Sequence, residues 1–367
     1  MELVSIVRTG QGIDDALGRA LELVGGLGAF VRPSDRVLVK PNLNGTEGFT
    51  SAALTGALIR RLRDLGVASV RIGEATFGKP AMTDMFFKET GYAELAHRLG
   101  VELVNLNRSR PVDVRVPNPL AVDRVQVARE VLESDCIINL PNMKVHYATG
   151  ITVAMKNLKG VLVGDEKRRF HEVGLEKAIA DLNSVVRPAL NVVDAVKCME
   201  RMGPRGGDLV SMDLLIAGRS TVAVDCVAAR IMGFEPREIL HLRYGLTETF
   251  PAGEDVKVVG ESIEAVKRPF VRAEVAGMVP DCFSVQESGA CSACMNAFLL
   301  SCRLMKHLPE QEMEVCMGTK ARRTGQGPCI AFGNCCPRDM NAEIRIGGCP
   351  PYPFALGESL VAEDADR

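Results

Sequence analysis

Four cysteines near the carboxyl end of the chain have the types and spacing of a metal centre. Cys291-Ser-Ala-Cys294 is a C-x-x-C pair that opens a helical pattern, and Cys335 and Cys349 follow as singles in Gly333-Asn334-Cys335-Cys336-Pro337 and Gly347-Gly348-Cys349-Pro350-Pro351. Two thiolates so spaced can reach one centre, and a helix amino terminus favours their charge. Glycine before a ligand lets the backbone approach a bulky cluster, and proline after it holds the turn. One close pair and two singles suit a [4Fe-4S] cluster wrapped by loops, with Cys291, Cys294, Cys335 and Cys349 as ligands. Zinc is the runner-up cofactor, because structural zinc typically takes two close pairs; uncoordinated thiols are the third reading. Cys282, Cys302, Cys316, Cys329 and Cys336 remain over. They are a substitute ligand, a second cluster or catalytic thiols, and spacing does not separate these.

A second group of polar residues follows apolar, strand-like runs. Lys40-Pro41-Asn42 ends one, Asn142-Met143-Lys144-Val145-His146 follows another, Lys156, Asn157 and Lys159 open the next element, and Asp194 ends a third. Lys144 and His146 share one face of an extended segment by its two-residue period. Converging cations suit an anionic ligand such as a carboxylate or phosphate. Lys40, Asn42, Lys156, Asn157 and Lys159 are therefore the substrate-binding candidates, and Lys144, His146 and Asp194 the catalytic ones. The competing reading is chance, since 44 Lys and Arg guarantee some near strand ends; for His146 it is a hydrogen-bonded structural histidine. His171, in the charged stretch 165–172, is expected on an exposed loop able to close over a ligand. Asp225 reads equally well as a buried structural partner.

The elements that must position these residues alternate. Apolar runs at 3–7, 37–40, 70–73, 101–106, 136–140, 191–196 and 214–218 read as strands, and 12–24, 52–65, 82–99, 175–186 and 220–232 as helices. That rhythm predicts an α/β domain with a largely parallel sheet flanked by helices, binding ligands beyond the carboxyl ends of its strands. Nine of the twelve cysteines lie from Cys282 onward. The division expected is an α/β domain over 1–275, a smaller cysteine-rich, metal-binding domain over 276–360, and a disordered acidic tail over 361–367. Cys136, Cys198 and Cys226, each in an apolar run, read as small buried hydrophobes.

Bulk properties narrow the classes. A net charge of −2 and a pI near 6.3 offer no electrostatic footprint for nucleic acid. No run of about 18 apolar residues and no signal segment is visible, so a soluble, cytoplasmic protein without a membrane partner is expected. Twelve cysteines in such a compartment argue for metal binding or catalysis rather than disulfides. Phosphate-loop, H-E-x-x-H, G-x-S-x-G and dinucleotide signatures are missing, and no flavin motif is visible.

At these residues the chain resembles the family known as domain of unknown function 362 (DUF362). The resemblance rests on Lys40-Pro41-Asn42, Pro141 to His146, Met155-Lys156-Asn157-Leu158-Lys159-Gly160, Asp194 with Gly203-Pro204, and Ala223-Val224-Asp225 with Gly233, over about 35–245. It implies a carboxyl-terminal iron–sulfur region, which family members often carry, and it supplies no reaction. The chain has no C-x-x-C-x-x-C-x-x-x-C-P run; its Gly-Cys-Pro-Pro turn looks like that of the small cluster subunit of respiratory NADH dehydrogenases. The leading expectation is an iron–sulfur oxidoreductase acting on a small anionic substrate, with a redox partner protein. The alternatives are a non-redox lyase or isomerase using an open-site cluster iron as Lewis acid, and a non-enzymatic electron carrier or cluster scaffold. Substrate, cluster number and oligomeric state stay open.

Overall fold

The computed structural model describes residues 1–249, 255–273, 278–290 and 292–365, in two compact units, Met1–Ala273 and Glu274–Arg367. The first unit contains β1 (Glu2–Arg8), β2 (Arg36–Lys40), β3 (Ser69–Glu74), β4 (Glu102–Asn105), β5 (Pro111–Arg115), β6 (Arg124–Ala128), β7 (Cys136–Asn139), β8 (Asn142–His146), β9 (Gly150–Thr152), β10 (Leu190–Glu200), β11 (Asp208–Gly218) and β12 (Val256–Gly260). Its main sheet has the order β12-β1-β11-β10-β7-β2-β3-β4. From β10 to β4 all neighbours are parallel. β11 runs antiparallel to both β10 and β1, so the sheet is largely parallel but mixed. β8 pairs with β10 in parallel and with β9 in an antiparallel ladder, while β5 and β6 form a separate hairpin.

The two faces of the sheet follow the strand period of two. Val37, Val39, Ile138, Val192 and Ala217 pack on one side with Leu17, Leu54 and Leu58 of the helices Ile13–Leu23 and Ala52–Asp64. Leu38, Ile137, Val193 and Ile216 pack on the other with Met155, Ile179 and Val227 of Ala154–Asn157, Leu175–Val185 and Thr221–Ile231. A strand buried on both faces reads as a continuous apolar run. The same alternation carries Lys40, Asn139 and Asn191 onto the Leu38 face, where they occupy one row across β2, β7 and β10.

Three expectations are corrected locally. The helix expected over 82–99 is two helices, Pro80–Glu89 and Tyr92–Leu99, separated at Gly91, which takes the left-handed conformation that glycine adopts without strain. His171 lies within the helix Glu166–Val173, half-buried, rather than on an exposed loop, because Lys167 and Phe170 turn inward. The acidic stretch expected to be disordered is helical through Ala365.

The second unit contains β13 (Phe283–Glu287), β14 (Met313–Met317), β15 (Cys329–Phe332) and β16 (Ile344–Ile346), all parallel and in that order. One face packs Met313, Val315, Met317, Ile330 and Phe332 against Phe298 of the helix Ser292–Leu304 and Leu356 of Ala355–Ala365. Phe298 meets Phe283 and Phe332 edge-on at 5.6 and 5.7 Å, a favoured aromatic geometry. The opposite face carries Glu314, Cys316 and Cys329.

Candidate functional site

In the second unit, cysteines follow three of the four parallel strands at their carboxyl ends, where open α/β sheets place their sites. Cys294 lies in the first turn of the helix after β13, Cys335 follows β15 and Cys349 follows β16. Asn334 ties the last two turns together: its N–H donates to Gly348 O at 2.9 Å, and its Oδ1 accepts from Gly348 N at 2.8 Å. Gly333 has a left-handed φ of 100°, and a Cβ there would stand 3.0 Å from Cys294 Sγ. The sulfur of Cys294 thus rests against bare backbone of the turn that leads into Cys335. A cradle that any larger residue would fill, between thiols on three converging turns, fits a bulky cluster; Cys291 lies outside the described residues. On the other face of this sheet Glu314, Cys316 and Cys329 place their ligand atoms within 4.8 Å of one another, a group compatible with metal binding.

In the first unit the polar row at the strand ends continues into a connected network. Lys144 Nζ donates to Asn42 Oδ1 at 2.8 Å, and Asn42 Nδ2 donates to Asn157 Oδ1 at 2.9 Å. Lys40 Nζ donates to the same Asn157 oxygen at 3.3 Å and to Glu74 Oε2 at 2.9 Å. Asn157 Nδ2 donates to Asn139 Oδ1 at 2.8 Å, and Asn139 Nδ2 to Asn191 Oδ1 at 2.9 Å. Each of these amides both gives and receives, as buried polar groups must. Gly160 leaves room for the ion pair, since a Cβ there would fall onto Glu74 Oε1 and Lys40 Nζ.

The buried lysines outnumber the carboxylates paired with them. Lys40, Lys144, Lys156 and Lys167 are exposed by 0, 1, 8 and 7%, and of these only Lys40 forms an ion pair among the described residues, with Glu74. Lys144, Lys156 and Lys167 donate to the neutral oxygens Asn42 Oδ1, Thr149 Oγ1 and Asn107 Oδ1. Burial disfavours the charged form of a lysine. It pushes Lys144 and Lys167 down to about 7, with the neighbouring charge of Arg205 adding to the effect on Lys144, and it lowers Lys156 well below the ordinary range.

The histidines stand in the same field. His146 is held well below its usual value by burial and by Lys156, Lys159, His171 and His241. Its Nδ1 accepts the N–H groups of Ala148 and Thr149 at 3.1 and 3.3 Å, so the neutral ring carries its proton on Nε2. Lys159 Nζ lies 3.0 Å from His171 Nε2.

The carboxylates have structural duties. Asp194, named as catalytic from its place at a strand end, accepts Ser51 N and Val196 N at 2.7 and 3.1 Å and so fixes the start of the helix Ala52–Asp64. Asp225 accepts Ala154 N and Met155 N at 2.6 and 3.0 Å, holding the short helix that presents Lys156 and Asn157; burial lifts its carboxyl to about 7.

The candidates chosen from the sequence leave out several members of this site. Glu74 follows the run 70–73 and shares the strand-end signal without being among the candidates, and Asn139 ends a strand open to the same rule. Lys167 was hidden in a charged stretch. Arg205, which donates twice to Asn44, stands in the turn-forming stretch 203–207 beyond a strand, and His241 carries no local signal. His241 is fully buried, and neither ring nitrogen has a hydrogen-bond partner among the described residues; burial and Lys156 push it down to about 3.

Residues 37–230 match the family Domain of unknown function (DUF362), more than half of the 367 residues. The chain belongs to the DUF362 family. The "Thylakoid-associated protein sll1697" of Synechocystis sp. is 28% identical over 243 residues, 61% of this chain and 71% of that protein. The lactate racemase apoprotein from Thermoanaerobacterium thermosaccharolyticum aligns at a TM-score of 0.41 and 15% identity, over 59% of this DUF362 chain and 54% of the other, so the chain spans about half the length of that structure. No helix among the described residues is long and apolar enough to cross a membrane.

Proposed function

We propose that this DUF362 protein is an iron–sulfur oxidoreductase acting on a small anionic substrate at the strand ends of its α/β unit. The observation that carries the substrate class is the set of buried lysines, Lys144, Lys156 and Lys167, whose hydrogen-bond acceptors are all neutral. Burial disfavours the charged form of these lysines, and a carboxylate or phosphate bound beside them restores it through charge-assisted hydrogen bonds. Asn42 orients Lys144, Thr149 orients Lys156, and the Nε2–H of His146 is a neutral donor for the same ligand. The unpartnered nitrogens of buried His241 give the site two further polar contacts to satisfy.

The residues we assign to the cluster are Cys291, Cys294, Cys335 and Cys349, the last three on the turns about Gly333 and Gly348. When bound, a [4Fe-4S] group supplies one-electron chemistry, which calls for a redox partner protein as electron source. Lys144, poised near neutrality, supports a second reading, a lyase or isomerase in which it moves a proton at the substrate.

Iron, sulfide and zinc content with electron paramagnetic resonance tests the first reading, on protein purified without oxygen and on Cys291→Ser, Cys294→Ser, Cys335→Ser and Cys349→Ser. Roughly four irons and four sulfides per chain, lost in the variants, support it; protein without sulfide sinks it. A cluster that loses no iron on cycling between oxidation states favours redox chemistry. One whose spectrum changes when small carboxylates are added favours the lyase or isomerase.

A further inference from the structure

We propose that Cys316, Cys329 and Cys336, together with Glu314, hold one zinc ion in a closed tetrahedral site distinct from the four-cysteine set. Glu314 and Cys316 are two residues apart on β14 and face away from the apolar side formed by Met313, Val315 and Met317. Cys329 lies opposite Glu314 in the β14–β15 register. The sulfurs of Cys316 and Cys329 stand 3.8 Å apart. Two thiolates bound about 2.3 Å from one ion at the tetrahedral angle stand about 3.8 Å apart, whereas a disulfide needs about 2.05 Å. Thiolates on different corners of a cubane are spread outward by the cluster, so a pair in van der Waals contact fits one shared ion better than a second cluster.

Cys336 brings the third sulfur. Its Sγ donates to Cys316 O at 3.1 Å and to Phe332 O at 3.5 Å, beside but outside the 4.8 Å group of Glu314, Cys316 and Cys329, and a turn of its side chain exchanges those carbonyls for the ion. The fourth ligand is a carboxylate that is 6% exposed. Thr324 N and Gly325 N donate to Glu314 at 2.8 and 2.9 Å, which orients it as outer partners orient a metal ligand. Arg323 lies near Glu314 and Cys329, and Arg345 near Cys336, offsetting part of the ligand charge.

Two buried thiols, Cys316 and Cys329, in the small apolar nest of Ala321, Met340 and Ala342 would by themselves be ordinary hydrophobes. A buried carboxylate beside them is not ordinary. The site also has mechanical work: residues 318–328 join β14 to β15 without helix or strand, and an ion on both strands and on Cys336 clips that loop. Binding is not a redox step; the zinc–sulfur bonds form as the thiol protons leave to solvent.

The test uses the full chain purified without oxygen, with zinc and iron measured by plasma mass spectrometry and the zinc environment by X-ray absorption. One zinc per chain with three sulfurs at about 2.3 Å and one oxygen at about 2.0–2.2 Å is expected. Cys316→Ser and Cys329→Ser should lose zinc and keep iron, and Cys294→Ser and Cys349→Ser the reverse. Protein that takes up no zinc from added zinc sulfate overturns the proposal, as do a shell of four sulfurs, a Cys316–Cys329 disulfide in peptide mass spectra, or zinc lost with Cys294. Should the Cys316 variants fail to fold, absorption on the unaltered chain still decides. The zinc outcomes do not depend on the iron–sulfur reading, which the iron outcomes test separately.

Discussion

Lys40 Nζ lies 2.9 Å from Glu74 Oε2 with both side chains withdrawn from water, the lysine at the end of β2 and the glutamate at the end of β3. The pair anchors the polar row, because Lys40 also donates to Pro41 O and Asn157 Oδ1 while Glu74 accepts Ala75 N and Leu43 N. Removing one partner of such a pair strands the other charge. Glu74→Gln should cost about 3–5 kcal/mol, read as a lower urea midpoint at unchanged slope. A loss under about 1 kcal/mol would show that the amide network alone carries the row.

Lys144 ties anion binding to pH. In the free protein burial holds it down to about 7, so an anion that needs its charge binds best below that value. Sulfate, which does not titrate in this range, should lose affinity by roughly tenfold per pH unit above 7, measured by calorimetry. Lys144→Met should flatten the profile. The folding consequence has the opposite sense: between about 7 and the ordinary 10.5 the unfolded chain binds the extra proton, so Lys144 makes stability rise with pH across that window.

Asp225 is the support for Lys156 and Asn157. Asp225→Asn replaces one of two acceptor oxygens with a donor facing Ala154 N or Met155 N, at a cost of about 1–3 kcal/mol. Thermal unfolding should show the loss, and sulfate affinity should fall with it although Asp225 touches no ligand. Unchanged affinity would mean that the short helix holds its place without the carboxylate.

Gly333 is the narrowest point of the cysteine cradle. Gly333→Ala puts a Cβ 3.0 Å from Cys294 Sγ at a φ of 100°, a strained backbone for any other residue. Iron and sulfide content should drop well below that of the parent, whereas Gly327→Ala, with a built Cβ no closer than 3.5 Å to its neighbours, should leave both unchanged.

The sequence by itself determined what is local or periodic. The all-apolar runs that became β2 and β7 announce strands covered on both faces, and the rule that ligands collect beyond strand ends singled out Lys40, Asn42, Lys144 and Asn157. The structure joins these four through Asn42 and Asn157. Cysteine and glycine spacing likewise marked turns that the second unit brings together through Asn334. Tertiary structure alone decided the partners that sequence distance hides. Glu74 meets Lys40 across 34 residues because β2 and β3 pair in one register; β11 enters antiparallel between β1 and β10; and His241 becomes a buried, unpartnered ring. Periodicity reports which face of an element is apolar, but not which neighbour that face will meet. Strand pairing and burial set that choice, and with it the charge balance that lowers Lys144.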